Sequence, residues 1–240
     1  MKLSEEIQTY DIAIVGGGMV GISLALLLAN EKRDWRIALL ESLPMPSKSD
    51  GKTLVHQPSF DARATAISLG SIQVLENLGI WAELKKHHTA IKTVQVSDRG
   101  HIGGAEISAA QEQVDLLGSV LENAWIGKVL LAQLQENPAI DLIAPAQVKS
   151  AQPKKSGAEI KLSLKDSDNE EQKIFCQLMV LADGGESALS KSLGLDYDVQ
   201  DYDQSAIISN VEFESPHQGV AFERFTEHGP MAILPLGESS

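Results

Sequence analysis

The stretch YDIAIVGGGMVGISLALLLAN, residues 10–30, decides the fold of this chain. Its apolar residues 12–15 predict a buried parallel strand. Three consecutive glycines follow, and then an apolar pattern with helical spacing. Gly16, Gly18 and Gly21 form the spacing G-x-G-x-x-G, which is typical of a strand–turn–helix unit that holds the pyrophosphate of a dinucleotide.

Each glycine has its own role in this interpretation. Gly16 permits the tight turn, Gly18 lets the pyrophosphate approach the backbone, and Gly21 lets the helix pack closely on the strand. The start of the helix then offers unpaired N–H groups and the positive end of the helix dipole to the anion. We therefore expect a phosphate-binding turn before the first helix.

An acidic residue follows where the ribose of such a ligand would lie. Residues 36–40 predict a second strand, and Glu41 ends it, twenty residues after Gly21. A carboxylate at this point accepts hydrogen bonds from ribose hydroxyls. The alternative is a glycine-rich turn in an ordinary α/β domain, with Glu41 a solvated charge. The order strand, turn, helix, strand and acid favours the dinucleotide interpretation.

The rest of the chain mixes long loops with further strands. Residues 42–60 are rich in proline and serine and predict a long surface loop. A hairpin is predicted near 98–100, three strands between 141 and 182, and another strand over 206–213. The overall class is therefore α/β.

Composition excludes several classes of function. The formal net charge is −13 and the sequence pI is near 4.8, which argues against nucleic acid and against broad attraction to anionic lipid. The single cysteine, Cys176, lies in an apolar run, so we expect a small core residue and no disulfide. The first ten residues are polar and acidic, which predicts a cytoplasmic protein.

No side-chain catalytic set is visible. The six histidines show no spacing suited to a metal, so no metal site is expected. The G-x-S-x-G elbow of serine hydrolases and the G-x-x-x-x-G-K phosphate loop are absent from the sequence. A bound dinucleotide would then supply the reactivity, and the catalytic side chains stay unassigned.

Three stretches together resemble the FAD-dependent aromatic-ring hydroxylases. They are the glycine turn with Glu41, the segment DARATAIS at 61–68, and the segment DGGES at 183–187. The segments VSDRGH at 96–101 and ERFT at 223–226 resemble the 2-polyprenyl-6-methoxyphenol hydroxylases of ubiquinone biosynthesis. The resemblance covers nearly the whole chain.

The resemblance implies the residues that bind FAD. Gly16, Gly18 and Gly21 would hold its pyrophosphate and Glu41 its adenosine ribose. The remaining candidates would lie near the ribityl and phosphate groups or face the cofactor, and they are Arg63, Asn123, Asp183 and Gly184. The alternatives are a surface ion pair for Arg63 and a strand-end turn residue for Asp183.

Two features depart from the family pattern. The arginine usual seven residues after the Asp of the DG motif is replaced by Ser190, followed by Lys191, which has no planar fork for bidentate binding. The later G-D segment of the family is missing. We therefore expect an N-terminal fragment, C-terminally incomplete and inactive alone.

The implied fold is a Rossmann-like FAD-binding domain with an inserted β-rich substrate module, as in class A flavoprotein monooxygenases. The expected limits are 1–92 with 121–195 for the first, and 93–120 with 196–240 for the second. The implied reaction uses NAD(P)H and O₂ to hydroxylate a polyprenyl phenol. Transient contact with the inner membrane or with partner enzymes is expected. The alternatives are a sibling hydroxylase for another ring position or phenol, and a non-catalytic FAD- or partner-binding fragment.

Overall fold

The computed structural model describes residues 7–31, 33–45, 59–164, 171–185 and 187–237. The loop predicted over 42–60 falls largely outside these residues. In chain order the strands and helices are β1 (Gln8–Val15), α1 (Met19–Asn30), β2 (Ile37–Leu40), β3 (Ala64–Ser68), α2 (Leu69–Asn77), α3 (Trp81–Leu84), β4 (Thr89–Ile91), β5 (Thr93–Asp98), β6 (Gly104–Ser108), β7 (Gly118–Glu122), α4 (Asn123–Glu136), β8 (Ile140–Ile143), β9 (Ala146–Lys154), β10 (Gly157–Leu164), β11 (Glu171–Leu181), α5 (Ala188–Ser192), β12 (Val220–Phe225) and β13 (Met231–Ile233).

The chain divides into two units. The first combines Met1–Ser59 with Leu130–Ala206, and the second combines Phe60–Val129 with Ile207–Ser240. The expected limits differ from this division, because they joined residues 60–92 and 121–129 to the first unit and residues 196–206 to the second. In the structure β3 and β4 both pair with β7, so their hydrogen bonds tie them to the second unit. Which ligand each unit binds stays a prediction.

The first unit contains a six-stranded sheet with the order β8-β2-β1-β11-β10-β9. Its first four strands are parallel, and β10 and β9 continue it antiparallel. Every residue of β2 is buried, as a parallel strand covered on both faces requires. Cys176 is fully buried in the core of this sheet, which confirms the sequence prediction for it.

The second unit contains two smaller sheets. One has the order β3-β7-β4 and is antiparallel, and the other has the order β13-β12-β5-β6. Ile91, Val120 and Ala221 form one of its buried hydrophobic clusters. The predicted hairpin is present as β5 and β6, with Gly100 in the left-handed region at φ 92° between them.

The strand expected over 206–213 is not formed. Residues 196–217 have neither helix nor strand, and Ile207 is 95% exposed. These residues are strand-like in composition, but no described strand pairs with this backbone. A strand needs a partner to bond its N–H and C=O groups, so the pattern alone predicted wrongly. None of the helices in the described ranges is long and apolar enough to span a membrane.

His88 is a half-buried histidine of the second unit that is held by a buried serine. Its Nδ1 lies 2.7 Å from the hydroxyl of Ser119, which donates its own proton to the carbonyl of Thr89. The ring of Trp81 packs edge-on, with ring centroids 5.5 Å apart. Burial, helped by the charge of Lys85, lowers the pKa of His88.

This lowered pKa predicts a pH dependence of stability. The unfolded chain binds the proton more readily, so the contribution of His88 is complete above its usual pKa of about 6.5 and is lost as the pH falls. We expect His88→Gln to flatten the rise of Tm between about pH 5 and pH 7. Thermal unfolding across this range measures the effect, with the exposed His228→Gln as the control. Equal slopes in the parent and His88→Gln would contradict the prediction.

Candidate functional site

Three parallel strands of the first unit end side by side. Val15 of β1 pairs with Leu40 of β2 on one side and with Leu181 of β11 on the other. The residues that follow these strands are therefore neighbours at one edge of the sheet. The chain crosses from one side of β1 to the other here, and such a point is where open α/β sheets bind ligands.

The glycine turn is required partly by the protein itself. Gly16 has φ 112°, a left-handed value that favours glycine, and a Cβ there would overlap the carbonyl oxygen of Ala182. A Cβ at Gly21 would overlap the carbonyl oxygen of Gly16. Both glycines therefore allow close packing of backbone against backbone, as the sequence predicted for the turn and the helix contact.

Gly18 differs from these two glycines. It is the N-cap of α1, with φ −78° and ψ −174°, a conformation open to any residue. A Cβ there would meet the hydroxyl of Ser59 at 3.0 Å but no backbone atom of the described residues beyond its chain neighbours within 4 Å. Protein packing gives little reason for a glycine here, whereas the close approach of a ligand gives one.

The start of α1 suits an anion. The Gly18 cap makes no side-chain hydrogen bond, and the first turn carries no acidic residue. The first backbone N–H groups of a helix lack intrahelical partners and carry the positive end of its dipole. A phosphate therefore suits the N–H groups and the dipole at the start of α1.

The carboxylate of Glu41 braces the turn from the end of β2. Glu41 is 8% exposed. Its Oε2 accepts the N–H of Gly17 at 2.7 Å, and its Oε1 accepts the N–H of Leu43 at 2.7 Å and the hydroxyl of Ser42 at 3.1 Å. Glu41 is thus a structural acceptor in the protein alone, a role that the sequence analysis missed. Its contact with a ribose stays a prediction.

Asp183 and Gly184 follow β11 at the same edge. Both are exposed, and Gly184 has φ 95°. A Cβ at Gly184 would meet no atom of the described residues within 4 Å beyond its chain neighbours. The backbone of this segment is therefore open to a ligand on that side. Glu186 of the DGGES segment lies outside the described residues.

The position of the missing arginine is buried. Ser190 has no exposed surface and closes a reciprocal capping box with Ser187 at the start of α5. Its hydroxyl accepts the N–H of Ser187 at 3.0 Å and donates to the carbonyl of Ser187 at 2.9 Å. In this chain the position therefore caps a helix, and Lys191 beside it is exposed.

Arg63 and Asn123 belong to a separate cluster in the second unit. We call Asp61, Arg63, Thr65 and Asn123 the Asp61 cluster. The carboxylate of Asp61 accepts the Nε–H of Arg63 at 2.6 Å and its backbone N–H at 3.0 Å. The amide of Asn123, 4% exposed, donates to Asp61 at 3.4 Å and accepts the hydroxyl of Thr65 at 2.6 Å.

These hydrogen bonds favour the ionised form of the Asp61 carboxyl group. The N–H groups of Arg63, backbone first and guanidinium second, together with the Asn123 amide hold the pKa of the Asp61 carboxyl below its usual value. The sequence quoted Asp61 as part of a motif but assigned it no role. The spacing in the sequence was the signal that could have revealed this role of Asp61. A carboxylate two residues before an arginine can reach both the backbone and the side chain of that arginine.

The structure thus groups the candidates in two places. Gly16, Gly18, Gly21, Glu41, Asp183 and Gly184 lie in the first unit, and Arg63 and Asn123 in the second. No group of three or more histidine, cysteine or acidic side chains within the described ranges could hold a metal ion.

Residues 9–239 match the family described as the FAD binding domain. This chain belongs to that family. FAD is therefore the cofactor, and the start of α1, which has no side-chain cap, suits a pyrophosphate such as that of FAD.

Curated relatives confirm the resemblance to hydroxylases of ubiquinone biosynthesis. The ubiquinone hydroxylase UbiL of Rhodospirillum rubrum is 31% identical over 226 residues, covering 94% of this chain and 49% of the relative. The 3-demethoxyubiquinol 3-hydroxylase of Escherichia coli is 30% identical over 233 residues, covering 95% of this chain and 55% of the relative. The chain therefore spans about half the length of these relatives.

A solved structure confirms the fold class. The p-nitrophenol 4-monooxygenase PnpA from Pseudomonas putida superposes with a TM-score of 0.64 at 19% identity, covering 80% of this chain and 45% of that chain. At this identity the likeness concerns the fold alone.

The contrast between the glycines predicts two different mutant phenotypes. Gly18→Ala should keep the fold but weaken FAD binding about tenfold or more, since charge-assisted hydrogen bonds are worth about 1.5–3 kcal/mol. Gly21→Ala should instead lower Tm, because its Cβ overlaps backbone and overpacking costs about 1–3 kcal/mol. Quenching of FAD fluorescence and thermal unfolding separate the two effects. Normal FAD affinity in Gly18→Ala would contradict the pyrophosphate assignment.

Proposed function

We propose that this chain forms the FAD-binding half of a flavin-dependent monooxygenase that hydroxylates a polyprenylated methoxyphenol in ubiquinone biosynthesis. The observation that carries the proposal is Gly18, a half-buried glycine whose backbone conformation does not require glycine and which begins a helix without a side-chain cap. The names of the relatives from R. rubrum and E. coli support the substrate class.

Each candidate residue has a proposed part in binding. The backbone at Gly18 and the start of α1 hold the pyrophosphate of FAD, while Gly16 and Gly21 provide the tight turn and the close helix contact that shape this binding surface. Glu41 accepts a hydrogen bond from a hydroxyl of the adenosine ribose. It can do so beside its bonds to Gly17 and Leu43, because each carboxylate oxygen can accept more than one hydrogen bond. Asp183 and Gly184 face the ribityl or pyrophosphate side of FAD.

The proposed roles of Arg63 and Asn123 rest on the resemblance to the FAD-dependent hydroxylases. Arg63 is proposed to contact the phosphate and ribityl region, where a guanidinium offers fixed donors to phosphate oxygens. The amide of Asn123 is already bonded to Asp61 and Thr65, so we propose that one remaining N–H is its contribution to the cofactor.

Bound FAD supplies the transfer of electrons from NAD(P)H to O₂ and the insertion of an oxygen atom into an electron-rich phenol ring. The part of this chain is to fix FAD through its phosphate and ribose groups, so that the position of the reactive ring is set by rigid backbone at a sheet edge. We assign no acid or base side chain.

We also propose a cytoplasmic location with peripheral contact at the inner membrane. A polyprenyl tail resides in lipid, so an enzyme acting on it must approach the bilayer. The charge of −13 opposes anionic headgroups, and the contact would therefore be apolar.

The activity has a direct test. The purified chain is saturated with FAD and supplied with NADPH or NADH, air and a short-tailed 2-methoxyphenol. A stimulated NAD(P)H oxidation with hydroxylated product supports the complete proposal. FAD binding without product supports a cofactor-binding half that needs further residues, and it favours the non-catalytic alternative for this chain alone. A chain that binds no FAD at saturating concentration contradicts the proposal.

The proposed ribose contact makes a second prediction, for Glu41→Gln. This change should weaken FAD binding by about 1–3 kcal/mol, since it removes a charge-assisted acceptor of the ribose. It should also lower Tm, because a glutamine amide cannot accept the N–H groups of both Gly17 and Leu43.

Calorimetric titration with FAD and thermal unfolding of the apoprotein measure these two effects. Glu171→Gln, an exposed carboxylate at the start of β11, is the matched control. Unchanged FAD affinity with a lowered Tm would restrict Glu41 to its structural role.

A further inference from the structure

Two hairpins of the second unit turn at the same end of one sheet. β5 and β12 pair in parallel, and their last residues, Asp98 and Phe225, lie opposite each other. Each strand then turns back into an antiparallel neighbour, β5 into β6 and β12 into β13. Both connections therefore lie at one end of the sheet. We call them, with the last paired residues of each hairpin, the paired tips, residues 97–104 and 224–231.

Hydrogen bonds order the paired tips. Arg99 donates its backbone N–H to the carbonyl of Phe225 at 3.0 Å, and its Nη1 lies 3.5 Å from Oε1 of Glu227. In the second tip, the backbone N–H groups of Thr226 and Gly229 each donate to the carbonyl of the other residue. The tips are therefore held beside each other before any partner binds, which lowers the entropy lost on binding.

The paired tips expose large apolar side chains. Ile102 is fully exposed, and Met231 and Phe225 are about half-exposed. Single apolar residues are common on protein surfaces, but these three belong to one end of one sheet. Apolar side chains grouped in this way are typical of an interaction surface.

Charge distinguishes the paired tips from another stretch with exposed apolar residues. Residues 196–217 include Ile207, which is 95% exposed, but they contain six carboxylates and no lysine or arginine. The paired tips contain two carboxylates and two arginines, so their formal net charge is zero with histidine neutral. In a chain of net charge −13, the tips are thus an exposed apolar surface that anionic headgroups do not repel through a local excess of carboxylates. The four charged residues are Asp98, Glu227, Arg99 and Arg224.

We propose that the paired tips dock this protein on a lipid bilayer, with Ile102 entering the apolar boundary below the headgroups, and this inference rests on the proposed function. The polyprenyl substrate of that function resides in lipid, so the bilayer is the partner that the enzyme must meet. Phe225 and Met231 contact the bilayer beside Ile102. The contact is weak and reversible, because even a single acyl chain gives only marginal binding.

The first test measures how the full chain binds phosphatidylcholine vesicles, by sedimentation over a range of lipid concentrations. Ile102→Asp places a charge at the centre of the contact and should lower the ratio of bound to free protein about tenfold or more. Ile207→Asp is the matched control, because it changes an equally exposed isoleucine of the same unit, and it should leave the ratio unchanged. Both side chains are exposed, so both variants should keep the Tm of the parent.

A fluorescent label gives an independent measurement of insertion. Cys176 is fully buried, so Ile102→Cys provides an accessible thiol for an environment-sensitive dye. On addition of vesicles we expect the dye at this position to shift to shorter wavelength and to be quenched by brominated lipid. The same dye on Ile207→Cys should show neither change.

The outcomes separate this inference from the proposed function. A parent chain that binds no FAD contradicts the proposed function and, with it, this inference. If the parent binds FAD but no vesicles, or if Ile102→Asp binds vesicles as the parent does, only the docking role of the tips is overturned. If light scattering shows that Ile102→Asp converts a dimer into a monomer while vesicle binding is unchanged, the tips contact a second copy of this chain, which also overturns it.

Discussion

The parallel register of β1 between β2 and β11 is the constraint on which the candidate site of the first unit depends. Because Val15 pairs with both Leu40 and Leu181, the three strands end at the same level. The glycine turn, Glu41 and the DG segment are far apart in sequence and become neighbours only through this pairing. A shift of one strand would carry its terminal residue away from the others and would turn its buried side chains to the wrong face.

Several polar side chains at the candidate positions form hydrogen bonds with the protein's own backbone. Glu41 accepts the N–H groups of Gly17 and Leu43, and Ser190 closes the cap of α5. In the second unit Asp61 does the same for Arg63. These residues shape the loops before any ligand binds, which lowers the cost of ordering them on binding.

Much of the fold and of the candidate site in the first unit could be predicted, because local sequence patterns encode it. The glycine spacing, the strand before it and the acid after the next strand are read directly from sequence, and the family match confirms the cofactor they predict. Local patterns could not predict which strands pair, nor which polar side chains form hydrogen bonds within the protein itself. Residues 206–213 are strand-like in composition but have no described partner strand. The hydrogen bond from Gly17 to Glu41 joins residues twenty-four positions apart. The capping role of Ser190 also could not be predicted from the sequence, because it depends on the burial of this side chain at the start of α5.

The account therefore depends on whether phosphate groups meet the backbone at the start of α1. The most direct measurement is a two-dimensional ¹H–¹⁵N spectrum of the assigned protein during titration with ADP, which carries the pyrophosphate and ribose of FAD without the flavin. The account predicts the largest shifts at the amides of Gly17, Gly18 and Met19 and at Glu41. Saturable binding of ADP that leaves these amides unshifted would contradict it.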